Sequence, residues 1–237
     1  MRIACWSGPR NISTALMRSW SSRNDTFVSD EPFYGYYLKE TGFNHAMKEE
    51  IINSCPTDYR HIIKTISSTI PENKTIWYQK HMAHHLINKE DFSWIKNFKN
   101  CILIRKPRDV INSYIKKNTL KNISELGYLQ QLSILQFLQK ENESFYIIDS
   151  DDLLNNPKKE LSSWCNYLKI PFDQKMLSWP KGPHENDGIW GKHWYQNINN
   201  SKTFLKKKKN QSDDYKKFGT IYDDALYYYR KIYNMKS

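Results

Sequence analysis

Five short apolar runs, each ended by polar residues and followed by a helical pattern, constrain this chain more than anything else in it. They are Ile3 to Trp6, Thr26 to Ser29, Thr75 to Gln79, Asn100 to Arg105 and Phe145 to Ile148. The fourth, NCILIR, is nearly unbroken in its hydrophobicity, as strands covered on both faces are. Between the runs lie helical stretches: Ala15, Leu16, Met17 and Trp20; VINSYIKK after Asp109; residues 123–140; and Pro157 to Leu168. Alternation of this kind implies crossover connections and a parallel sheet with helices on its faces. The expected fold class is therefore α/β, with three layers (α/β/α) and a central parallel sheet of about five strands. It is expected as one domain over residues 1–237. Segment 33–70 reads as largely helical with breaks near Gly42 and Pro56, and a Tyr-rich helix from about 220 to 234 closes the chain.

Open parallel sheets place ligand groups at the carboxyl ends of their strands, so the strand tips are where chemistry is sought. The first tip, SGPRNISTAL, makes a Gly8-Pro9 turn, then Arg10, Asn11 and Ile12, and opens a helix on Ser13 and Thr14. The first N–H groups of a helix lack internal partners and carry the positive end of its dipole, which makes an anion cradle. Arg10 adds a guanidinium fork suited to phosphate oxygens. The loop is not the usual ATP-type cradle: Ile12 stands where a flexible Gly is wanted, and no Lys precedes Ser13. The alternative is a helix simply capped by Ser13, with Arg10 solvated. The stretch alone leaves both open.

The other tips carry candidate chemistry too. Asp30-Glu31-Pro32 puts two carboxylates at the end of the second run, as ligand groups or as a cap for the next helix. Lys80-His81 leaves the third run as a pair suited to acid–base and charge-stabilising work. Arg105 ends the fourth run, and Ser113, two helical turns further on, can face the same groove. Residues 178–195 are dense in Gly, Pro, Trp and cations. They suggest an ordered loop whose aromatic faces stack on a base, or one packed on the core by its own tryptophans.

A net charge of +11 favours polyanionic ligands, although most of the lysines are scattered and only 206–209 forms a run. Cys5, Cys55, Cys101 and Cys165 form no C-x-x-C pair. His81, His84 and His85 lack an acidic or thiol companion at zinc-site spacing, so no metal is expected. The first strand begins at Ile3, leaving no room for a signal peptide, and no run reaches the roughly 18 apolar residues of a membrane helix. The expectation is a cytoplasmic protein without a membrane partner. With no RNA-binding signature in the chain, no nucleic-acid partner is expected.

Taken in order, these segments resemble the sulfotransferase family that uses 3′-phosphoadenosine 5′-phosphosulfate, over about residues 3–195. SGPRNISTAL resembles the family's loop for the 5′-phosphosulfate, and IRKPRDVINSY its 3′-phosphate site. QKH resembles the strand end that carries a catalytic base in many members, and GIWGKHW, more loosely, the C-terminal cofactor loop. DSDDLLNNPKKELSSWCNYL resembles the segment after the last strand. The resemblance implies a P-loop-NTPase-like fold and cofactor contacts from Arg10, Asn11, Ile12, Ser13, Thr14, Arg105, Ser113, Trp190 and Lys192. Catalytic roles fall to Arg10, Lys80 and one of two competing bases, Glu31 or His81, with a carboxylate at the strand tip accompanying this type of loop. The product would be adenosine 3′,5′-bisphosphate, and no metal would be needed. The sulfuryl group would go to a hydroxyl or an amine of an acceptor that is a small molecule or a glycan; no residue pattern names it or sets an oligomeric state. A kinase-like phosphotransferase and a non-catalytic nucleotide- or RNA-binding protein are the competing classes.

Overall fold

The computed structural model describes residues 1–87, 91–206 and 212–236. Its centre is a sheet of β1 (Arg2–Ser7), β2 (Thr26–Asp30), β3 (Ile76–Met82), β4 (Lys99–Ile104) and β5 (Phe145–Asp149). All neighbouring pairs are parallel, in the order β2-β3-β1-β4-β5. Every apolar run of the sequence is a strand. Four agree within one residue at their ends, whereas β3 continues three residues past Gln79 and so includes Lys80, His81 and Met82, which the apolar pattern places beyond the strand.

Successive strand residues face opposite sides, and each side has its own core. Ile3 and Cys5 of β1 join Leu16, Met17 and Trp20 of α1 (Ser13–Ser21). On that side the cover is completed by α7 (Ser150–Asn155) and α8 (Pro157–Tyr167). Ala4 and Trp6 face the other core, with residues of α4 (Tyr59–Ile66), α5 (Pro107–Tyr114), α6 (Tyr128–Lys140) and α11 (Gly219–Tyr233). The expected three layers are present.

The helical segment after β2 breaks where the sequence indicates. α2 (Tyr34–Thr41) ends on Gly42 in the left-handed region (φ 65°), and α3 (Lys48–Ser54) stops before Pro56. The continuous helix expected over 123–140 is instead split. A short 3-10 turn ends at Gly127, whose φ of 77° no continuing helix can hold, and α6 starts at the next residue. Two short helices form here, α9 (Gly191–Trp194) inside the Gly- and Trp-rich stretch and α10 (Gln196–Asn199) just after it. Most of the lysine run at 206–209 lies outside the described residues.

The chain leaves β1 toward the β2 edge and leaves β4 toward the β5 edge. The crevice between those two strand ends is the topological switch point where such sheets bind ligands.

Candidate active site

A cleft of about 610 Å³ opens at the carboxyl ends of the strands, lined by Arg10, Ser13, Thr14, Glu31, Lys80, Arg105 and Ser113 among others. That volume is within the range of small-molecule sites.

One end of the cleft is cationic. Arg105 follows β4 directly and donates from a terminal N–H to the Arg10 carbonyl at 2.7 Å. Arg10 Nε in turn donates to Ser113 Oγ at 2.9 Å, so Arg10 sits between the two residues expected to face one groove. Among the described residues no carboxylate pairs with either arginine, and Arg105 Nε is buried without a hydrogen-bond partner. Burial, and then the neighbouring Arg105 charge, pull the Arg10 pKa down. Two neighbouring arginines whose charges meet no carboxylate among the described residues make an anion site by electrostatics.

The helix beside them is also unfinished. Ile12 is the N-cap of α1, with no side-chain cap bond and no acidic residue in the first turn, so Ser13 is not the cap. The first N–H groups are thereby left for a ligand. Ile12 adopts φ 62°, the left-handed region where a Gly was wanted. Arg10 (φ 63°) and Glu31 (φ 43°) share that unfavourable region, and strain of this kind gathers at functional sites. Asn11 contributes differently from the expectation of cofactor contact. It is buried, its amide donates to the Leu103 carbonyl at 3.1 Å, and it braces the loop from beneath.

The other end of the cleft is organised by Lys80. Parallel register sets Asp30 beside Lys80. The ammonium donates to Asp30 Oδ1 at 2.8 Å, Glu31 Oε1 at 2.5 Å and Tyr195 Oη at 2.7 Å. An ammonium has only three donors, so all are spent and Lys80 orients Glu31 rather than facing the phosphate loop. Burial works against the lysine's charge, but Asp30 and Glu31 outweigh it and hold its pKa well above the usual value. Burial lifts the Glu31 carboxyl, Lys80 only partly opposing it and Asp30 adding to it. The other Glu31 oxygen, Oε2, lies 4.0 Å from His85 Nε2.

His81 is not brought to the cleft. It follows Lys80 on the strand and so faces the opposite core, stacked on Trp6 at 4.4 Å and packed near Phe33 and Trp94. Burial lowers its pKa to about 3. Trp190 and Lys192 are also elsewhere: Trp190 is buried edge-on against Tyr34, and Lys192 is exposed outside the cleft. The loop's tryptophans pack on the core rather than offering a face for a base, except Trp194, which lines the cleft.

What the sequence reading did not single out is the clamp this loop supplies. Tyr195 Oη donates to Asp30 Oδ2 at 2.7 Å and accepts from Trp190 Nε1 at 3.1 Å as well as from Lys80. Gly188 N–H donates to Asp30 Oδ2 at 3.1 Å, and Asp187 forms a two-pronged pair with Arg18 of α1, both bonds 2.6 Å. Nothing distinguishes Tyr195 from the other fifteen tyrosines in the sequence. Among the described residues no helix is long and apolar enough to cross a membrane, and no group of three or more His, Cys, Asp or Glu is placed to hold a metal ion.

Known proteins share this arrangement of strands. The structure resembles the crystal structure of a sulfotransferase from Alicyclobacillus acidocaldarius with a TM-score of 0.56 at 10% identity, covering 97% of this chain and 94% of that one. A sulfotransferase domain from the curacin biosynthetic pathway superposes with a TM-score of 0.50 at 18% identity, over 79% of this chain and 80% of that one. At such identities the likeness is one of fold. Two Arabidopsis thaliana proteins, branched-chain-amino-acid aminotransferase-like proteins 2 and 1, are 34% and 33% identical over 85% and 87% of this chain. The chain spans only 36% and 37% of their lengths. With its sequence matching the sulfotransferase domain from residue 1 to residue 232, and with the cleft built on that same frame, the chain belongs to the sulfotransferase domain family.

Proposed function

We propose that the chain transfers a sulfuryl group from 3′-phosphoadenosine 5′-phosphosulfate to an acceptor hydroxyl, with Glu31 as the base. The observation that carries this is the counter-ion-free arginine pair, Arg10 and Arg105, meeting Ser113 in the same cleft as the Glu31–Lys80 pair. A donor with phosphates at two positions fits that end: two cations, one buried unpartnered guanidinium nitrogen and an uncapped helix start.

When bound, the donor supplies the activated sulfuryl group. Arg105 and Ser113 hold its 3′-phosphate, while Arg10, Ser13, Thr14 and the first N–H groups of α1 hold the 5′-phosphate that leaves. Transfer of this kind needs mostly positioning and neutralisation of charge on the leaving oxygen. Glu31 Oε2 takes the acceptor's hydroxyl proton as the new sulfur–oxygen bond forms and the bond to the leaving phosphate breaks. Lys80 keeps Oε1 fixed so that Oε2 is presented, and Asp30 and Tyr195 keep Lys80 charged and in place. The aminotransferase-like name of the two plant relatives is not carried over. Lys80, the buried lysine of the cleft, is held protonated by two carboxylates and is no amine nucleophile.

Calorimetry with adenosine 3′,5′-bisphosphate and adenosine 5′-phosphate tests the reading. Arg105→Ala should weaken the bisphosphate by about 2–5 kcal/mol, as for removing one member of a desolvated charge pair, and leave the monophosphate nearly unchanged. Equal loss for both ligands, or no bisphosphate binding by the unaltered protein, overturns it.

A further inference from the structure

The two ends of the cleft differ in charge. At the Arg10–Arg105 end cations stand without a carboxylate partner among the described residues, whereas the charged groups described around Glu31 are already tied up by one another or by hydrogen bonds. Lys80 has spent its three donors, and Asp30 is bonded to Lys80, Tyr195 and the Gly188 N–H. Glu125, also on the wall, accepts from Tyr114 Oη at 2.9 Å and from the backbone N–H groups of Lys121 and Asn122 at 3.1 and 3.0 Å. Lys116 and Lys206 also line the cleft, but both are exposed, where water screens them. What remains is Glu31 Oε2.

The rest of that wall is aromatic and imidazole. The His85 ring lies between Tyr34 (4.7 Å, 14°) and Tyr37 (4.8 Å, 22°), and His84 stands edge-on to Tyr37 at 5.3 Å and to His85 at 4.6 Å. Both histidines line the cleft, and the Nδ1 of each is buried without a hydrogen-bond partner. Buried polar atoms rarely stay unpaired, and leaving them so costs free energy.

We infer that the acceptor is an uncharged molecule carrying a hydrogen-bonding group, besides the hydroxyl it presents to Glu31, for the idle Nδ1 atoms of His84 and His85. The inference rests on the sulfotransferase reading of the cleft. An anionic acceptor would lose its hydration beside Glu31 and, among the described residues, meet no free buried cation there. A cationic acceptor would pair with Glu31 and occupy the base. Burial keeps the His84 pKa at about 3 and that of His85 far below the ordinary value, so both rings are neutral at neutral pH. Each neutral ring offers one N–H and one lone pair.

Two matched acceptor sets test this with labelled donor at neutral pH: tyrosol, 4-hydroxyphenylacetate and tyramine, and glucose, glucuronate and glucosamine. Bisphosphate binding is measured in parallel. In at least one set the neutral member should be sulfated, with kcat/KM at least about tenfold above both charged members, roughly the discrimination of one unpaired buried group. His84→Phe and His85→Phe keep ring packing and remove the nitrogens. They should raise KM for that neutral acceptor several-fold with bisphosphate affinity unchanged. A preferred carboxylate or ammonium member, equal use of all three, an unmoved KM in both variants, or no transfer to any of the compounds while the bisphosphate binds each overturns the inference alone. Absence of bisphosphate binding instead overturns the underlying reading of the cleft.

Discussion

Removing one oxygen atom, in Tyr195→Phe, gives the sharpest test of how the site is held. The Tyr195 hydroxyl accepts from Lys80 Nζ at 2.7 Å and from Trp190 Nε1 at 3.1 Å, and donates to Asp30 at 2.7 Å. Phenylalanine preserves the buried ring, so no cavity opens and the loss is polar. Lys80, 1% exposed, and Trp190, 3% exposed, would each keep a buried N–H without an acceptor. A buried donor left unsatisfied costs about 1–3 kcal/mol, with charged groups at the upper end. The two losses share one atom and are not fully additive, so the expected destabilisation is about 3–5 kcal/mol. Urea unfolding should show it as a lower midpoint at unchanged slope. Tyr233→Phe, at a tyrosine 42% exposed, should shift stability by no more than about 0.5 kcal/mol. Turnover should also fall, because Lys80 no longer fixes Glu31, while bisphosphate affinity holds. A Tyr195→Phe loss below about 1 kcal/mol would refute the clamp.

Glu31→Gln should cut turnover by roughly 10²–10⁴-fold with bisphosphate affinity intact, whereas His81→Phe, in the opposite core, should change turnover per folded molecule only a few-fold; the reverse ranking would restore His81 as the base. Because burial raises the Glu31 pKa, the acid limb of kcat/KM should lie above the ordinary glutamate value of about 4.3, and a limb at or below that value counts against Glu31. Burial lowers the pKa of His81 and His84 to about 3 and that of His45 to about 4, below the unfolded value of about 6.5. The unfolded chain therefore binds more protons across that window, and stability should fall as the pH drops from about 6.5 toward about 3. Urea midpoints that stay level between neutral and mildly acidic pH would contradict this, and His81→Phe should make the fall shallower. Gly8→Ala would put a Cβ 2.2 Å from the Leu126 carbonyl oxygen, forcing the loop off its seat at a cost of about 1–3 kcal/mol; wild-type stability would show that the turn is free to shift.

The strands, the breaks at Gly42 and Pro56, and the phosphate-loop candidate were legible in the sequence because each is a local matter. A strand buried on both faces writes an unbroken apolar run, and a helix start is recognisable from a few adjacent residues. Asp30, Glu31 and Lys80 could be singled out because polar residues at strand tips stand out against such runs. The same period of two that defines a strand already separates Lys80 from His81, but which of them faces the cleft depends on which side the helices leave open. The split at Gly127 turned on one left-handed residue inside an otherwise helical pattern.

Tertiary structure alone decided the rest. Tyr195 reaches Asp30 across 165 residues of sequence, and Arg10 reaches Ser113 across 103. Neither contact leaves a periodicity or spacing to read. Trp190 turned inward for the same reason: a tryptophan in a loop can stack on a ligand or on the core, and the choice belonged to the edge of Tyr34 waiting beside it. Local propensity determined where the elements begin and end; register and packing, which act between distant segments, determined which side chains meet.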